Sequence, residues 1–303
     1  MAAGIKKSIG RGLSRAADAA PRRRPRFDVA GWKYFPIPQG DDRAEMDRLR
    51  RSPRKTFWCP VCGRRSLLRV GGVASLREII ACYHCHGINR HRQLAAVILG
   101  TNERYPDLTA LGQSGSRLRV YGTEAHGPLH EALKPLPNYT FSEYKEGDYR
   151  SGQVVDGIVH QDLHRTSYKS NRFDLIFSSD VFEHMPDPYR GHREIFRILA
   201  PGGRHVMSVP FDATSPLDDV RAELTKTGKV KLLGPAEYHH DSLRPEGILM
   251  FRRFGLEMLV HAAEIGFDVN FYNLHDPRLG IFGKHAFIFE LVKPRPARRK
   301  RRA

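Results

Sequence analysis

The segment from residue 173 to residue 209 constrains the fold most strongly, because an apolar strand, a polar loop, a helix and another strand follow one another there. Phe173–Phe177 is too short an apolar run for a helix and is flanked by polar residues, which favours a buried strand. Apolar residues recur at helical spacing over Tyr189–Leu199, and the Pro-Gly-Gly that follows turns the chain into a second strand at His205–Val209. This order is a βαβ unit, so the sequence predicts a parallel sheet covered by helices.

Several polar residues follow the first of these strands directly. Asp180, Glu183 and His184 lie where the strand ends. Ligands of parallel sheets bind beyond the carboxyl ends of the strands, so these residues are expected at the site of chemistry. The alternative is that Asp180 caps a turn and that His184 is an ordinary loop histidine.

The same stretch resembles the class I S-adenosylmethionine-dependent methyltransferases. The resemblance rests on Phe173–Ile176 as the fourth strand, Val181–His184 as the loop after it, and Arg197–Gly203 as the helix end and turn. It weakens outward but extends from about residue 117 to residue 292. It implies an α/β fold with a Rossmann-like methyltransferase sheet, mostly parallel with an antiparallel last strand, and S-adenosylmethionine as the cofactor.

The turn after the first predicted strand departs from the family pattern. Leu118–Gly122 is predicted to be that strand, and a glycine-rich turn is usual after it, because glycines let the backbone approach a nucleotide closely. Only Gly122 and Gly127 are present here, with Glu124 between them. The pattern resembles a divergent branch that has an acidic residue in this turn, and the resemblance implies that Gly122 and Glu124 line the methionine part of the cofactor.

Two further acids lie at predicted strand ends. Glu143 closes the strand Asn138–Glu143, and the resemblance implies that its carboxylate accepts hydrogen bonds from both ribose hydroxyls. Its position 21 residues after Gly122 supports the match. Asp162 and Leu163 end the predicted third strand, Gly157–Leu163. The resemblance implies that Asp162 accepts a hydrogen bond from the adenine amino group and that Leu163 packs on the adenine ring. By the same resemblance Asp180 lies near the cofactor sulfur. The alternatives are a surface glutamate at position 143 and a turn cap at position 162.

All four cysteines occur in the pattern Cys-x2-Cys-x19-Cys-x2-Cys, at Cys59, Cys62, Cys82 and Cys85. Two such turns direct four thiolates at one tetrahedral centre, which favours a structural Zn²⁺ in a small N-terminal zinc ribbon. Ser66–Val70 and Glu78–Ala81 are its predicted strands. Two disulfides are the alternative, but the sequence has no export signal. The nearby His84 and His86 are predicted to lie outside the ligand set.

The net charge of +17 is concentrated at the two ends. Residues 1–26 and 293–303 together contain fifteen Lys and Arg and one acid, so the middle of the chain is nearly balanced. The tails predict attraction to a polyanion such as nucleic acid, or a solubilising role without a fixed partner. No apolar run of 18 residues is present, so no membrane span is predicted, and a cytoplasmic location is expected over a minority mitochondrial reading of the Arg-rich N-terminus.

The predicted organisation is a flexible basic leader and linker over 1–54, a zinc ribbon over 55–98, a methyltransferase-like domain over 99–292 and a basic tail over 293–303. Asp41–Arg51 is a candidate short helix within the linker. Inside the third segment, residues 211–249 form a polar insertion that is predicted to be a substrate lid. A helix at Met250–Ile265 and strands at Phe267–Tyr272 and Ala286–Val292 then complete the sheet.

The predicted function is methyl transfer from S-adenosylmethionine to an unidentified acceptor, a small molecule or glycan. His184 and His239 are the candidates for the general base, because imidazole titrates near neutral pH; His240 and Asp241 lie beside the second. One alternative is a nucleic-acid-binding ribbon protein with a catalytically inactive methyltransferase-like body. An NAD-dependent oxidoreductase is disfavoured because Gly-x-Gly-x-x-Gly is absent after the first strand. The sequence does not indicate the oligomeric state.

Overall fold

The structure is a computed structural model that describes residues 42–51, 55–68, 76–78, 80–100, 104–239, 247–283 and 287–296. Residues 1–41 and 297–303, which include most of the two basic tails, lie outside the described residues, as do His240 and Asp241. The helices are α1 (Asp42–Arg50), α2 (Asn89–Gly100), α3 (Leu108–Gly112), α4 (Pro128–Leu133), α5 (Pro188–Ile198) and α6 (Glu257–Ile265), with 3-10 turns at Leu76–Glu78, Phe182–His184 and Pro277–Leu279.

The strands divide between one central sheet and five small hairpins or ribbons. The central strands are β3 (Val120–Gly122), β4 (Tyr139–Phe141), β7 (Phe173–Ser179), β8 (Leu199–Ser208), β15 (Asp268–Asn273) and β16 (Phe287–Val292). The peripheral strands are β1 (Thr56–Trp58), β2 (Arg65–Leu67), β5 (Val154–Val155), β6 (Ile158–Val159), β9 (Asp219–Val220), β10 (Ala222–Leu224), β11 (Val230–Leu232), β12 (Tyr238–His239), β13 (Ile248–Leu249) and β14 (Arg252–Arg253).

The central sheet has the order β15-β16-β8-β7-β3-β4. The four strands β4, β3, β7 and β8 are parallel, whereas β16 is antiparallel to both β8 and β15. The predicted fold class, a mostly parallel Rossmann-like sheet with an antiparallel last strand, is therefore confirmed. β7 forms the centre because its apolar residues, Phe173 to Phe177, are buried by helices on both faces.

The turn at Pro201-Gly202-Gly203 differs from its prediction. β8 begins at Leu199 and continues through these residues, with an irregular register against β7 between Phe173 and Leu175. A Cβ on Gly203 would lie 2.8 Å from the carbonyl oxygen of Ala200 and 2.9 Å from that of Phe173. Glycine therefore allows two strand backbones to approach here, rather than only turning the chain.

Three other predicted elements also differ in the structure. The helix predicted over Met250–Ile265 begins only at Glu257, because Arg252–Arg253 pair with β9 as a strand. The predicted third strand, Gly157–Leu163, is reduced to β6, which forms a hairpin with β5, and to one parallel bridge between Glu143 and His160. At the predicted ribbon strand Glu78–Ala81, Glu78 ends a 3-10 turn, Ile79 lies outside the described residues, and Ile80 and Ala81 are not in a strand. The other ribbon strand, β2, pairs with β1.

Residues 55–98, here called the cysteine-bearing segment, share a buried core with the sheet. α2 packs against β8 and β16, and Arg204 on β8 donates to the carbonyl oxygen of Ile98 at 2.6 Å and forms an ion pair with Glu290. α1 also belongs to this core, since its buried Glu45 accepts from the backbone N–H of Gly283 at 3.0 Å. The predicted domain boundaries at residues 54, 98 and 292 stay predictions, but α1 packs as part of the body instead of standing apart as a linker.

Within the described ranges, no helix has both the length and the apolar character needed to cross a bilayer.

Candidate functional site

Three parallel strands end at one edge of the sheet. Gly122 closes β3, Ser179 closes β7 and Ser208 closes β8, and the last two are direct register partners. β3 lies between β4 and β7, so the connections after β3 and after β4 lead to opposite sides of it. Such a switch in strand order opens a crevice at the carboxyl edge, where open α/β sheets bind their ligands.

Glu124 lies in the turn between β3 and α4, at the predicted position for the methionine part of the cofactor. Its Oε1 is shielded from solvent and has no hydrogen-bond partner among the described residues. Burial raises the pKa of Glu124 to about 7, although the positive charge of Arg90 opposes the shift, and the nearby Glu143 adds to it. A shielded carboxylate oxygen without a donor is suited to a cationic or donor-bearing ligand.

Glu143 follows β4 at the same edge and is mostly shielded. Its Oε2 lies 3.3 Å from Lys145 Nζ and 3.8 Å from His126 Nε2. Glu124 and Glu143 follow the ends of the neighbouring parallel strands β3 and β4, and Glu143 contributes to the raised pKa of Glu124. The structure therefore brings together the residues predicted for the methionine and ribose parts of the cofactor.

Asp162 and Leu163 follow the β5–β6 hairpin. Asp162 Oδ1 accepts from the backbone N–H of His164 at 2.9 Å and lies 2.7 Å from its ring Nδ1. These contacts make Asp162 a turn-capping residue, which is the alternative considered above, and its adenine contact stays a prediction. Leu163 is buried in the core under the sheet.

Two aromatic rings leave no room for a side chain at position 122. A Cβ there would lie 2.5 Å from Tyr139 Oη and 2.7 Å from Phe177 Cζ. The glycine at this position is therefore explained by close packing of the two rings against the strand end, whether or not a ligand approaches it.

Asp180 is engaged by two arginines that come from the cysteine-bearing segment. Arg77 donates to both carboxylate oxygens, Arg90 Nε lies 3.3 Å away, and Ser208 donates its hydroxyl at 2.9 Å. Burial alone would raise the pKa of Asp180, but the two guanidinium groups hold it well below its usual range. Arg90 also donates to the Ser179 hydroxyl. The predicted contact of Asp180 with the cofactor sulfur stays a prediction, and its oxygens already have these protein partners.

His184 and His239, predicted as candidate bases, lie next to each other although 55 residues separate them. Their ring centroids are 5.0 Å apart at an interplanar angle of 87°. The fully buried carboxylate of Glu183 completes the group, with Oε1 lying 3.4 Å from His239 Nδ1 and 3.8 Å from His184 Nε2. The interaction with Glu183 raises the pKa of His239, against the effect of burial.

The local fold explains why these three side chains meet. The 3-10 turn Phe182–His184 follows β7 directly, and the backbone N–H of Phe251 donates to the Glu183 carbonyl at 2.8 Å. Pairing of β12 with β13 places His239 beside Ile248 in the insertion. The sequence placed Glu183 at the strand end, but it gave no sign that its carboxylate would be buried against the insertion.

Comparison with known proteins bears on the sheet and its edge. Residues 115–207 match a protein family described as "Methyltransferase domain". Over this segment the chain carries a methyltransferase domain. The matched residues run from the strand before Glu124 to the end of β8, so they include the carboxyl edge described above.

Curated relatives of the methyltransferase domain match over short stretches. A sarcosine/dimethylglycine N-methyltransferase of Halorhodospira halochloris is 28% identical over 95 residues, which is 31% of this chain and 33% of that protein. A cycloartenol-C-24-methyltransferase 1 of Oryza sativa subsp. japonica is 26% identical over 125 residues, 38% of this chain and 33% of that protein. The chain thus spans about a third of the length of these relatives.

Solved structures of methyltransferases also resemble the chain. An S-adenosylmethionine-dependent methyltransferase from Mesorhizobium loti matches with a TM-score of 0.37 and 15% identity, over 61% of this chain and 95% of that one.

The four cysteines form a second site, outside the methyltransferase domain match. Their sulfur atoms all lie within 4.8 Å of one another, and the Cys59–Cys85 and Cys62–Cys82 pairs are each 3.7 Å apart. Four thiolates about 2.3 Å from a tetrahedral zinc ion are separated by about 3.8 Å, so the arrangement fits that ion. The thiol groups are not joined as disulfides. His84 Nε2 faces the carbonyl oxygen of Arg65 at 3.0 Å, outside the sulfur cluster.

Proposed function

We propose that this chain is an S-adenosylmethionine-dependent methyltransferase that acts on a small-molecule acceptor. The shielded, unpartnered Oε1 of Glu124, at the carboxyl edge beside Glu143, carries the proposal, because this edge is where the sheet binds its ligand. The methyltransferase domain match over 115–207 supports the cofactor. Two curated relatives named for sarcosine, dimethylglycine and cycloartenol support a small acceptor.

S-adenosylmethionine, when bound, supplies a methyl group on a positively charged sulfur, ready for displacement by a nucleophile. The residues of this chain would bind and orient the two reactants and keep water out. Glu124 and Gly122 would face the methionine part, and Glu143 would accept from the ribose hydroxyls. Asp162 and Leu163 are proposed for the adenine end, on the resemblance alone.

The group of Glu183, His184 and His239 would handle the proton of the acceptor. It lies one turn beyond β7 and under the insertion, which is where a lid over the acceptor is predicted. Either imidazole, held by the buried carboxylate, is placed to take a proton from a hydroxyl or an amine. A sugar-bearing acceptor and a nucleic-acid partner for the basic tails remain predictions.

Titration calorimetry with S-adenosylhomocysteine tests the cofactor part. The full chain is expected to bind it, and Glu143→Gln is expected to weaken binding by about tenfold or more, because a charged acceptor of two hydrogen bonds is lost. Glu131→Gln, at an exposed helix residue that forms an ion pair with Lys134, is the control and should bind like the wild type. A wild-type chain that gives no heat and no thermal shift with this ligand would rule the proposal out.

For the four-cysteine site we propose a structural Zn²⁺ held by Cys59, Cys62, Cys82 and Cys85. Four sulfur ligands leave no open coordination position, so its role would be to stabilise the fold.

A further inference from the structure

Glu183, His184 and His239, here called the Glu183 cluster, converge from two separate parts of the chain. One ligand atom from each, a carboxylate oxygen and two imidazole nitrogens, lies within 4.8 Å of the other two. Glu183 Oε1 is 3.4 Å from His239 Nδ1 and 3.8 Å from His184 Nε2. Ligands about 2.1 Å from one tetrahedral cation lie about 3.4 Å apart, so only a small contraction would place all three around an ion.

The carboxylate of Glu183 is the unusual member of the cluster. Its side chain is 0% exposed, and in the described part of the chain neither of its oxygens has a hydrogen-bond partner. A buried carboxylate without donors is costly unless a charge neutralises it. His239 Nδ1 approaches one oxygen at 3.4 Å and His184 Nε2 approaches it at 3.8 Å, so an ion pair with His239 compensates the carboxylate only in part.

His184 is held as a metal-binding imidazole is held. Its Nδ1 lies 2.9 Å from the carbonyl oxygen of Leu249, to which it can only donate. In the neutral ring this leaves the lone pair on Nε2, the atom that faces Glu183. Histidine ligands of metals commonly donate their other ring N–H to a backbone carbonyl in this way, which fixes both tautomer and ring orientation.

The charges around the cluster do not exclude a cation. Arg77 and Arg90 lie close enough to influence it, but Asp180 and Glu78 pair with both arginines. Of the three described acids Glu78, Asp180 and Glu183, only Glu183 forms no ion pair with Arg77 or Arg90. A divalent cation would add the charge that this carboxylate lacks.

We propose that Glu183, His184 and His239 bind one divalent transition-metal ion. Two imidazoles and one carboxylate suit ions such as Zn²⁺, Mn²⁺ or Fe²⁺ and leave coordination positions open, whereas Mg²⁺ and Ca²⁺ prefer oxygen ligands throughout. The site is distinct from the four cysteines, whose soft sulfurs close a separate tetrahedral centre.

If the chain is a methyltransferase, as proposed above, this ion would restrict the acceptor to compounds that can bind it through an oxygen. An ion with open positions lowers the pKa of a bound hydroxyl, so the acceptor would present an oxygen there. Its proton would pass to solvent, the oxygen lone pair would form the new C–O bond, and the electrons of the broken S–C bond would remain on sulfur. The two histidines would then act as ligands instead of proton acceptors.

Binding of Mn²⁺ tests the site, with the full chain first loaded with one equivalent of Zn²⁺ for the four cysteines. Electron paramagnetic resonance measures the Mn²⁺ that stays free. Mn²⁺ is chosen because it favours nitrogen and oxygen ligands over thiolates. One ion per chain is expected, and Glu183→Gln, His184→Ala and His239→Ala should each weaken binding at least about tenfold. His261→Ala is the control, since this half-exposed histidine contacts Glu264 on its own helix and the ring of Tyr189, not the Glu183 cluster, and it should bind like the wild type.

Zinc content gives a second measurement that does not depend on Mn²⁺. The wild type should hold two Zn²⁺ per chain in excess zinc, and the Glu183→Gln variant one. The proposal fails if neither ion shows binding that depends on the Glu183 cluster, because a simple Glu183–His239 ion pair predicts that result. S-adenosylhomocysteine binding is measured on the same samples: if it persists while metal binding is absent, only this inference is lost, and if it is absent the proposed function is lost instead.

Discussion

Arg77 and Asp180, 103 residues apart in the sequence, form a two-pronged ion pair at the carboxyl edge of the sheet. The side chains are 19% and 12% exposed, so both charges are largely removed from water. Asp180 also has a positive φ of 54°, a conformation that the surrounding contacts must maintain. The pair ties the cysteine-bearing segment to the end of the central strand.

Replacing Arg77 with Ala should destabilise the fold, because Asp180 would keep a buried charge with only Arg90 left to balance it. The free energy of unfolding is expected to fall by roughly 3 kcal/mol, as measured by urea denaturation. Arg50→Ala removes a pair with Asp47 in which both side chains are more than 40% exposed, and should change stability by less than about 1 kcal/mol. Equal effects of the two substitutions would contradict the structural role of the Arg77–Asp180 pair.

Glu124 should make stability and ligand affinity depend on pH around neutrality. Its pKa is raised from 4.5 to about 7 by burial, so the folded state holds a proton that the unfolded state releases between these values. The stability that this proton contributes to the folded state is therefore fully present below pH 4.5 and is lost as the pH rises through 7. Glu124→Gln should be more stable than the wild type at pH 8, by on the order of 1 kcal/mol after solvent screening, and the difference should vanish near pH 4.5.

Thermal denaturation of both proteins across pH 4.5–8.5 measures this difference. If the carboxylate form of Glu124 also binds the cofactor, wild-type affinity for S-adenosylhomocysteine should increase as the pH rises through 7, and the variant should not show the increase. A pH-independent difference in stability would show that Glu124 does not titrate in this range.

Removing zinc should unfold the N-terminal half together with its contacts to the sheet. Cys59 and Cys82 are fully buried in the core that also contains Leu175 and Val206. A chelator, or Cys62→Ser, is expected to lower the melting temperature by more than about 10 °C, and metal analysis should find about one zinc fewer per chain. His84→Ala should retain the zinc, because this ring faces a backbone carbonyl. Loss of zinc in that variant would mean that the ligand set is wrong.

Gly203→Ala should destabilise the junction of α5 and β8. The added Cβ would lie within 3 Å of two carbonyl oxygens, which belong to backbone and cannot swing aside. We expect a loss of roughly 2 kcal/mol in the free energy of unfolding. Gly234→Ala, where the nearest atom is 3.8 Å away on a flexible arginine side chain, should be nearly neutral. A neutral Gly203→Ala would show that the two strands can separate at this point without cost.

The parts of the fold that could be predicted are those with local signals. The strand at β7 and the helix α5 follow from hydrophobic periodicity and turn residues, and the structure contains both. The antiparallel pairing at the end of the chain follows from the resemblance to methyltransferases and is also present. The helix predicted from Met250 failed at its start because Arg252–Arg253 pair with a strand more than 30 residues earlier. Pairing at that distance overrides local propensity and leaves no local trace.

The candidate site was predictable in its residues but only partly in its contacts. Glu124, Glu143, His184 and His239 were identified by their positions at strand ends or in the insertion, and the structure brings the first two together at one edge and the last two into contact. The arginines over Asp180 could not be foreseen, because they lie far from it in the sequence, in the segment that is predicted to be a separate ribbon. Burial of Glu183 likewise depends on how the insertion folds back, which no local pattern specifies.

Because Arg77 and Arg90 pair with Asp180, the chain cannot be divided between these arginines and Asp180 without changing the carboxyl edge of the sheet. A fragment starting after residue 98 would retain the whole parallel sheet, yet Asp180 would lose both counterions and Ser179 its guanidinium donor. The part of the chain that forms the sheet is thus incomplete by itself. Fusing it to another protein would transfer a carboxyl edge without the two arginines that balance its charge.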